Sequence, residues 1–172
     1  VNDSTHDVFT NSAGESNIGK IILAILSFKR LKDEYGNKYK GGILLIDELD
    51  ATLYGYSQKK LVDFLYKTSR EYNIQVIFTT HSPMVLQEVN NLQRKEIRKM
   101  LEKGIDVSAI PYNYESEIIY LESYYVGEVG DSKRMVKGRN IRKSSELKEI
   151  TDDINMQPSM VRQSVNVYLE DE

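Results

Sequence analysis

The sequence predicts an α/β protein, with a parallel sheet flanked by helices. Three observations point there. Ile18, Ile21, Ile22, Ile25 and Leu26 recur at three and four, the spacing of one helix face. Ile43-Leu44-Leu45-Ile46 is an unbroken aliphatic run, which suits a strand covered on both faces. The segments then alternate helix, strand, helix, strand, helix, strand, which implies right-handed crossovers. Ligands of such sheets sit beyond the carboxyl ends of the strands.

The elements follow in order. Residues 1–16 are polar and carry the turn-forming residues Asn2, Asp3, Ser4, Asn11, Ser12, Gly14 and Ser16, and read as a loop. The first helix runs from Asn17 and fades at Lys32–Tyr35, with Gly36 as its stop. Gly41-Gly42 punctuate before the strand at 43–46, which ends in Asp47-Glu48. A second helix is expected over 57–72, with Ser57 able to cap it. The β-branched run Ile74–Thr80 is a second strand. Ser82-Pro83 is a cap followed by proline at the first helical position, and starts a helix reaching Leu101, with Asn90-Asn91 as a candidate break. Glu117–Leu121 reads as a third strand, 145–154 as a short helix and Val165–Leu169 as a final strand.

Composition narrows the chemistry. A chain of 172 residues accommodates one domain, and its 40% hydrophobic content excludes a disordered polymer. The net charge of −3 excludes a generic polyanion binder. With no Cys there is no disulfide, thiol nucleophile or thiolate zinc site. Two histidines, His6 and His81, argue against a multi-histidine metal centre. No apolar run approaches the ~20 residues of a membrane helix, so a cytoplasmic location without membrane attachment is expected. Val1 at the start and Glu170-Asp171-Glu172 at the end suggest a fragment of something longer.

Three motifs carry chemistry. Asp47-Glu48 put two adjacent carboxylates at a strand end, where desolvation and repulsion are tolerated when a cation neutralises them or one acts as a base. Adjacent strand residues point to opposite sides, so the two acids would serve different tasks. This matches a Walker B motif; the bland alternative is two acids opening a surface loop. Thr79-Thr80-His81-Ser82 ends the next strand, beside the acids, where a His can reach a phosphate and its attacking water; a lone His is otherwise an ordinary surface or core residue. Asn11–Asn17 opens a helix, whose N-terminal N–H groups favour anions. It reads two ways. Gly14-Glu15-Ser16-Asn17-Ile18-Gly19-Lys20 has the spacing of a phosphate-binding P-loop, but Ile21 stands where Ser or Thr should hold Mg²⁺ and no apolar strand precedes it. Ser12-Ala13-Gly14-Glu15 alternatively reads as a signature sequence opening a helix that leads to Walker B.

On these residues Ser12–Pro83 resembles the C-terminal half of an ABC-class ATPase head, in the AAA-family branch that includes RecF, SMC and OLD-type proteins. Ser12-Ala13-Gly14-Glu15 resembles the signature, with Ala13 and Glu15 as departures. Asp47-Glu48 resembles Walker B, Asp50-Ala51-Thr52-Leu53 the D-loop, and His81 the switch histidine. Gly41 through Leu53 is most similar to Septu-like and retron-associated anti-phage defence ATPases. The resemblance implies ATP and Mg²⁺ as cofactors and a homodimer or head-to-tail ATPase partner that sandwiches ATP. Ser12, Gly14 and Glu15 would contact nucleotide held by the partner head. Asp47 would support Mg²⁺, Glu48 would be the general base, His81 would position water and phosphate, and Asp50 would signal across the dimer. An upstream P-loop half would supply the main phosphate grip, so the isolated chain is expected not to hydrolyse ATP. The alternatives are a non-hydrolysing dimerisation module and a small NTPase using Gly14–Lys20.

The remainder is less patterned. Residues 131–148 carry a net +5, read as a basic loop able to touch a phosphate backbone, without interleaved aromatics for base stacking. Val165–Leu169 before Glu170 resembles the opening of a Toprim-type nuclease domain, which implies a DNA or nuclease partner. Tyr112, Tyr114, Tyr120, Tyr124 and Tyr125 cluster near the third strand, as core edge or head–head interface. The expected organisation is an ATPase half-head over 1–122, a basic loop and short helix over 123–164, and the start of a further domain over 165–172.

Overall fold

The computed structural model describes residues 13–51, 53–106, 115–126, 133–156 and 165–169; the side chains of 13–16, 125, 156 and 165–169 are outside that description. Ser12, His6, Thr52, Tyr112, Tyr114 and the terminal acids Glu170–Glu172 lie outside the described residues. The order is α1 (Ala13–Tyr35), a 3-10 turn, β1 (Gly42–Ile46), α2 (Tyr56–Tyr72), β2 (Ile74–Thr80), α3 (Pro83–Glu102), β3 (Ser116–Val126), β4 (Lys133–Ile141), α4 (Ser144–Met156) and β5 (Val165–Leu169).

The five strands form one sheet in the order β1-β2-β5-β3-β4. β1 and β2 pair in parallel, with Leu44 opposite Val76 and Ile46 opposite Phe78. β5 pairs antiparallel with both β2 and β3, and β4 pairs antiparallel with β3. The α/β class and a small parallel portion stand, but the expected all-parallel sheet becomes a mixed one. β3 runs in the direction of β2 without touching it, because β5 lies between. Val165–Leu169 is a strand of this sheet, seated between β2 and β3. The segment expected to be a basic loop holds β4, whose residues 133–138 are all exposed on an edge, so no apolar period betrays the strand.

The sheet is covered on one face. Leu44 and Ile46, then Val76 and Phe78, then Ile118 and Tyr120 share a core with Ile25 of α1, Leu65 of α2, Val85 and Val89 of α3 and Ile150 of α4. Burying each such side chain stabilises by about 1.5–3 kcal/mol. On the opposite face Ile43 is 60% and Leu45 71% exposed. The expectation that the 43–46 run is covered on both faces fails among the described residues, where β1 is an edge strand with helices packed beneath it.

Two glycines seat β1. Gly41 has φ +98°, and a Cβ there would lie 2.2 Å from the Asn73 carbonyl oxygen. A Cβ on Gly42 would lie 2.3 Å from the Phe28 ring. The Gly42 N–H donates to the Asn73 carbonyl at 3.1 Å, which fixes the strand against the α2–β2 turn. Asn73 closes α2 in the left-handed conformation, φ 52°.

Some boundaries moved. α1 begins at Ala13, within the segment read as loop, because a polar first turn carries no apolar period. Gly36, φ +50°, follows its end as expected. Gly55, not Ser57, precedes α2, and no side chain caps that helix. Ser82 does cap α3: its Oγ accepts the Val85 N–H at 3.4 Å, with Pro83 next in line. α3 runs through Asn90-Asn91 unbroken, with their amides turned to side chains one turn away: Asn91 donates to Glu88 and Asn90 to Gln93.

The far side of the sheet is tied down by polar groups. Gln93 Nε2 donates to the Ser116 carbonyl at 2.8 Å, and the Glu115 N–H donates to Glu96 Oε2 at 3.2 Å. Tyr66 OH donates to Glu115 Oε2 at 2.9 Å, and Arg70 pairs with Glu115 Oε1 at 3.2 Å. Glu96 is 5% exposed. Burial, reinforced by the Glu115 charge, pushes its carboxyl up to about 7 against the hydrogen bonds it accepts and the nearby Arg70. No helix among the described residues is long and apolar enough to cross a membrane.

Candidate active site at the ends of β1 and β2

Parallel pairing brings the carboxyl ends of β1 and β2 side by side, and two consecutive threonines fasten them. Thr79 Oγ1 donates to Asp47 Oδ1 at 2.6 Å and accepts the Glu48 N–H at 2.7 Å. One hydroxyl thus sets both residues of the acidic pair. The Leu49 N–H donates to the Thr79 carbonyl at 2.9 Å and continues the tie. Thr80, one residue on, faces the other side of the strand. Its buried Oγ1 donates to Asp50 Oδ1 at 2.5 Å and accepts the Ser82 N–H at 3.1 Å. The His81 N–H also donates to Asp50 Oδ1, at 3.2 Å. Asp50 therefore holds the backbone at His81, while Thr79 holds Asp47. Ser82 Oγ donates to Gln58 Oε1 at 2.7 Å, and Gln58 Nε2 donates to the Leu53 carbonyl at 2.7 Å, closing the loop 47–53 onto α2.

Glu48 has φ 49°, a left-handed conformation uncommon for a residue with a side chain. Such strain costs of order 1–3 kcal/mol and persists where surrounding contacts enforce it; here those contacts are the Thr79 hydroxyl and carbonyl. The chain has left the strand at Ile46, so strand alternation does not decide where Asp47 and Glu48 point. Both are exposed, so the desolvation argued for a buried pair does not arise.

A cavity of about 290 Å³ opens at this point, between Asn17, Lys20, Ile21 and Ala24 of α1 and residues 44–49, Ala51 and Leu53. It is at the small end of ligand pockets. Lys20 is the only cation on its wall among the described residues. Gly14 and Glu15 are in the first turn of α1. All of Gly14–Lys20 is helical, so these residues do not form the phosphate-wrapping loop their spacing suggested. Among the described residues no group of three or more His, Asp or Glu converges to cage a metal. The carboxylate oxygens of Asp47 and Glu48 on the cavity wall are of the kind that suits Mg²⁺, which keeps waters and is completed by substrate phosphates.

Thr79 and Thr80 flank His81 in the sequence without an evident role, yet their hydroxyls are the parts that join the two strand ends. The signal was available in their position: two threonines at successive places of a strand end serve its two faces. Lys20 has a role in the sequence only as part of the P-loop spacing, yet it lies on the acids' cavity.

Comparison with known proteins adds to this geometry. Residues 2–86 match the AAA ATPase domain family. The match takes in α1, β1, α2, β2 and the start of α3, hence Asp47, Glu48, Asp50 and His81 together. The Retron Vc95 probable ATPase of Vibrio cholerae serotype O1 biovar El Tor is 36% identical over 105 residues, covering 58% of this chain and 19% of that protein. The chain thus spans about a fifth of the length of the curated relative it matches. No solved structure matches. Both similarities point to AAA-family ATPases, which act on nucleotides, usually with Mg²⁺.

Proposed function

We propose that the chain supplies the signature, Walker B, D-loop and switch elements of an ABC-type ATPase head, and that ATP binding closes two such heads while hydrolysis reopens them. The supporting observation is the pair of threonine latches, Thr79 to Asp47 and Thr80 to Asp50, which unite at one sheet end the groups such a site uses. Asp47 would hold Mg²⁺, which when bound neutralises charge on the phosphates. Glu48 takes the proton of the attacking water as general base, and the His81 imidazole orients water and phosphate. Asp50, bonded to the His81 backbone, couples that histidine to the facing head. Gly14 and Glu15, with Ser12 beyond the described residues, present the start of α1 to a nucleotide gripped by the partner. The cavity is small and holds one lysine, which supports a main phosphate grip from outside these residues. The process served is a DNA transaction or anti-phage defence, by analogy with the retron ATPase.

The test is Glu48→Gln in the hydrolysing assembly that contains this chain. The expected result is a fall in kcat of about 10²–10⁴, the share of a general base, with ATP binding retained. A variant that hydrolyses ATP at the parent rate removes Glu48 from the mechanism.

A further inference from the structure

In the β3–β4 hairpin the positive charge lies on β4, which holds Lys133, Arg134, Lys137 and Arg139 and no acid, while β3 brings Glu117 and Glu122. From Lys133 to Lys143 there are six basic residues and no acid, the last two (Arg142 and Lys143) just past the end of β4, in a chain whose net charge is −3. Residues 133–138 are all exposed. The register shows what the linear sequence conceals. Lys133 lies opposite Val126, Met135 opposite Tyr124, Lys137 opposite Glu122 and Arg139 opposite Tyr120. Directly opposed residues share a face, as do alternate residues along a strand. One face of the hairpin therefore presents Lys133 and Lys137, about 13 Å apart along the strand, with Tyr124 and Met135 between them. Tyr124 is 43% exposed and Met135 47%. The aromatic missing from the basic segment is delivered by the neighbouring strand.

We propose that this face of the β3–β4 hairpin binds single-stranded nucleic acid, with Lys133 and Lys137 on the phosphate backbone and Tyr124 stacking on a base. Lysines neutralise phosphates regardless of sequence, and an exposed ring offers a surface to any unstacked base. In a duplex those base faces are already stacked, so an aromatic between two cations favours a single strand. The strip has defined ends. Inward, Arg139 lies over the buried Tyr120 ring at 5.9 Å, and the carboxylates of Asp153, Glu122 and Glu149 act on that tyrosine, so the surface turns acidic towards α4. Arg134 belongs to the opposite face, opposite Tyr125.

The experiment is fluorescence anisotropy of a labelled fifteen-residue oligothymidylate with the 172-residue chain, at two salt concentrations and without nucleotide. Lys133→Glu with Lys137→Glu is expected to weaken binding at least tenfold and to flatten the salt dependence. Tyr124→Ala is expected to weaken it roughly five- to a hundredfold, Tyr124→Phe to keep it, and Glu122→Gln to tighten it. Arg134→Glu should stay within threefold of the parent. Three results would overturn the proposal: no binding by the parent, equal affinity for a blunt duplex, or unchanged binding in Tyr124→Ala while the lysine changes weaken it. The last would leave a plain polyanion surface. Glu48→Gln is expected to bind the oligonucleotide like the parent, so failure of the hairpin reading and failure of the ATPase reading are separable.

Discussion

Among the described residues the sheet has two edges, β1 and β4, and they are built oppositely. At β4 the edge carries Lys133, Arg134, Lys137 and Arg139 within nine residues. At β1 the edge, Gly42–Ile46, has no charge and no proline, and its open face shows Ile43 and Leu45. An unpaired edge is a template for pairing with other chains, and charge is the common protection. The contrast teaches that β4 is finished as a surface facing water and polar partners, whereas β1 has the character of an interior strand lying at an edge. The anchoring differs too. β1 is seated by close backbone approach, Gly41 to Asn73 and Gly42 to the Phe28 ring. β3, which carries β4, is seated by buried polar groups from α3.

The largest expected effect breaks the β1 seat. Gly41→Ala forces a side chain into φ +98° and within 2.2 Å of a backbone oxygen. A loss of about 2–4 kcal/mol is expected, read as a lowered midpoint in thermal unfolding; an unchanged midpoint would mean β1 is not held at this point. The next tests the polar seat of β3. Glu96 keeps its proton to about pH 7 in the folded chain, against an ordinary value of 4.5. Between those values the folded form binds more protons than the unfolded one. Its contribution to stability is therefore full below about pH 4.5 and is lost as pH rises through 7. Glu96→Gln should stabilise by about 1–2 kcal/mol at pH 8 and flatten that slope in denaturant unfolding. Destabilisation at pH 8 would show that the carboxylate form is what holds β3. The smallest change in stability sharpens the contrast between edges. Leu45→Lys puts a β4-like charge on β1 and should alter stability by less than about 0.5 kcal/mol, while reducing self-association in sedimentation. Equal association of the parent and Leu45→Lys would remove the β1 face from that role.

Local pattern made much of the fold legible. The strands at 43–46 and 74–80, the proline-led start of α3 and the stop at Gly36 all follow from residues within one or two turns. What escaped was non-local. Nothing near Val165 says that β5 inserts between β2 and β3, since pairing partners are set by tertiary fit. β4 escaped because a strand with both faces in water needs no apolar alternation. The site was legible as residue types at strand ends, but its geometry was not. The positive φ of Glu48 and the split of Thr79 and Thr80 between two acids depend on how the parallel strands align.

The position of β5 also has a consequence in time. Among the described residues β1–β2 and β3–β4 are two ribbons with no direct pairing, and only Val165–Leu169 joins them. During synthesis, at roughly 5–20 residues per second, Thr80 precedes Val165 by 85 residues. For about 4–17 seconds β2 has an unpaired flank, and the nascent polypeptide holds two half-sheets waiting for the strand that closes them. Such long-range closure is slow and exposes apolar surface until it is complete. The interval before β5 arrives is thus when a ribosome-bound chaperone has most to protect.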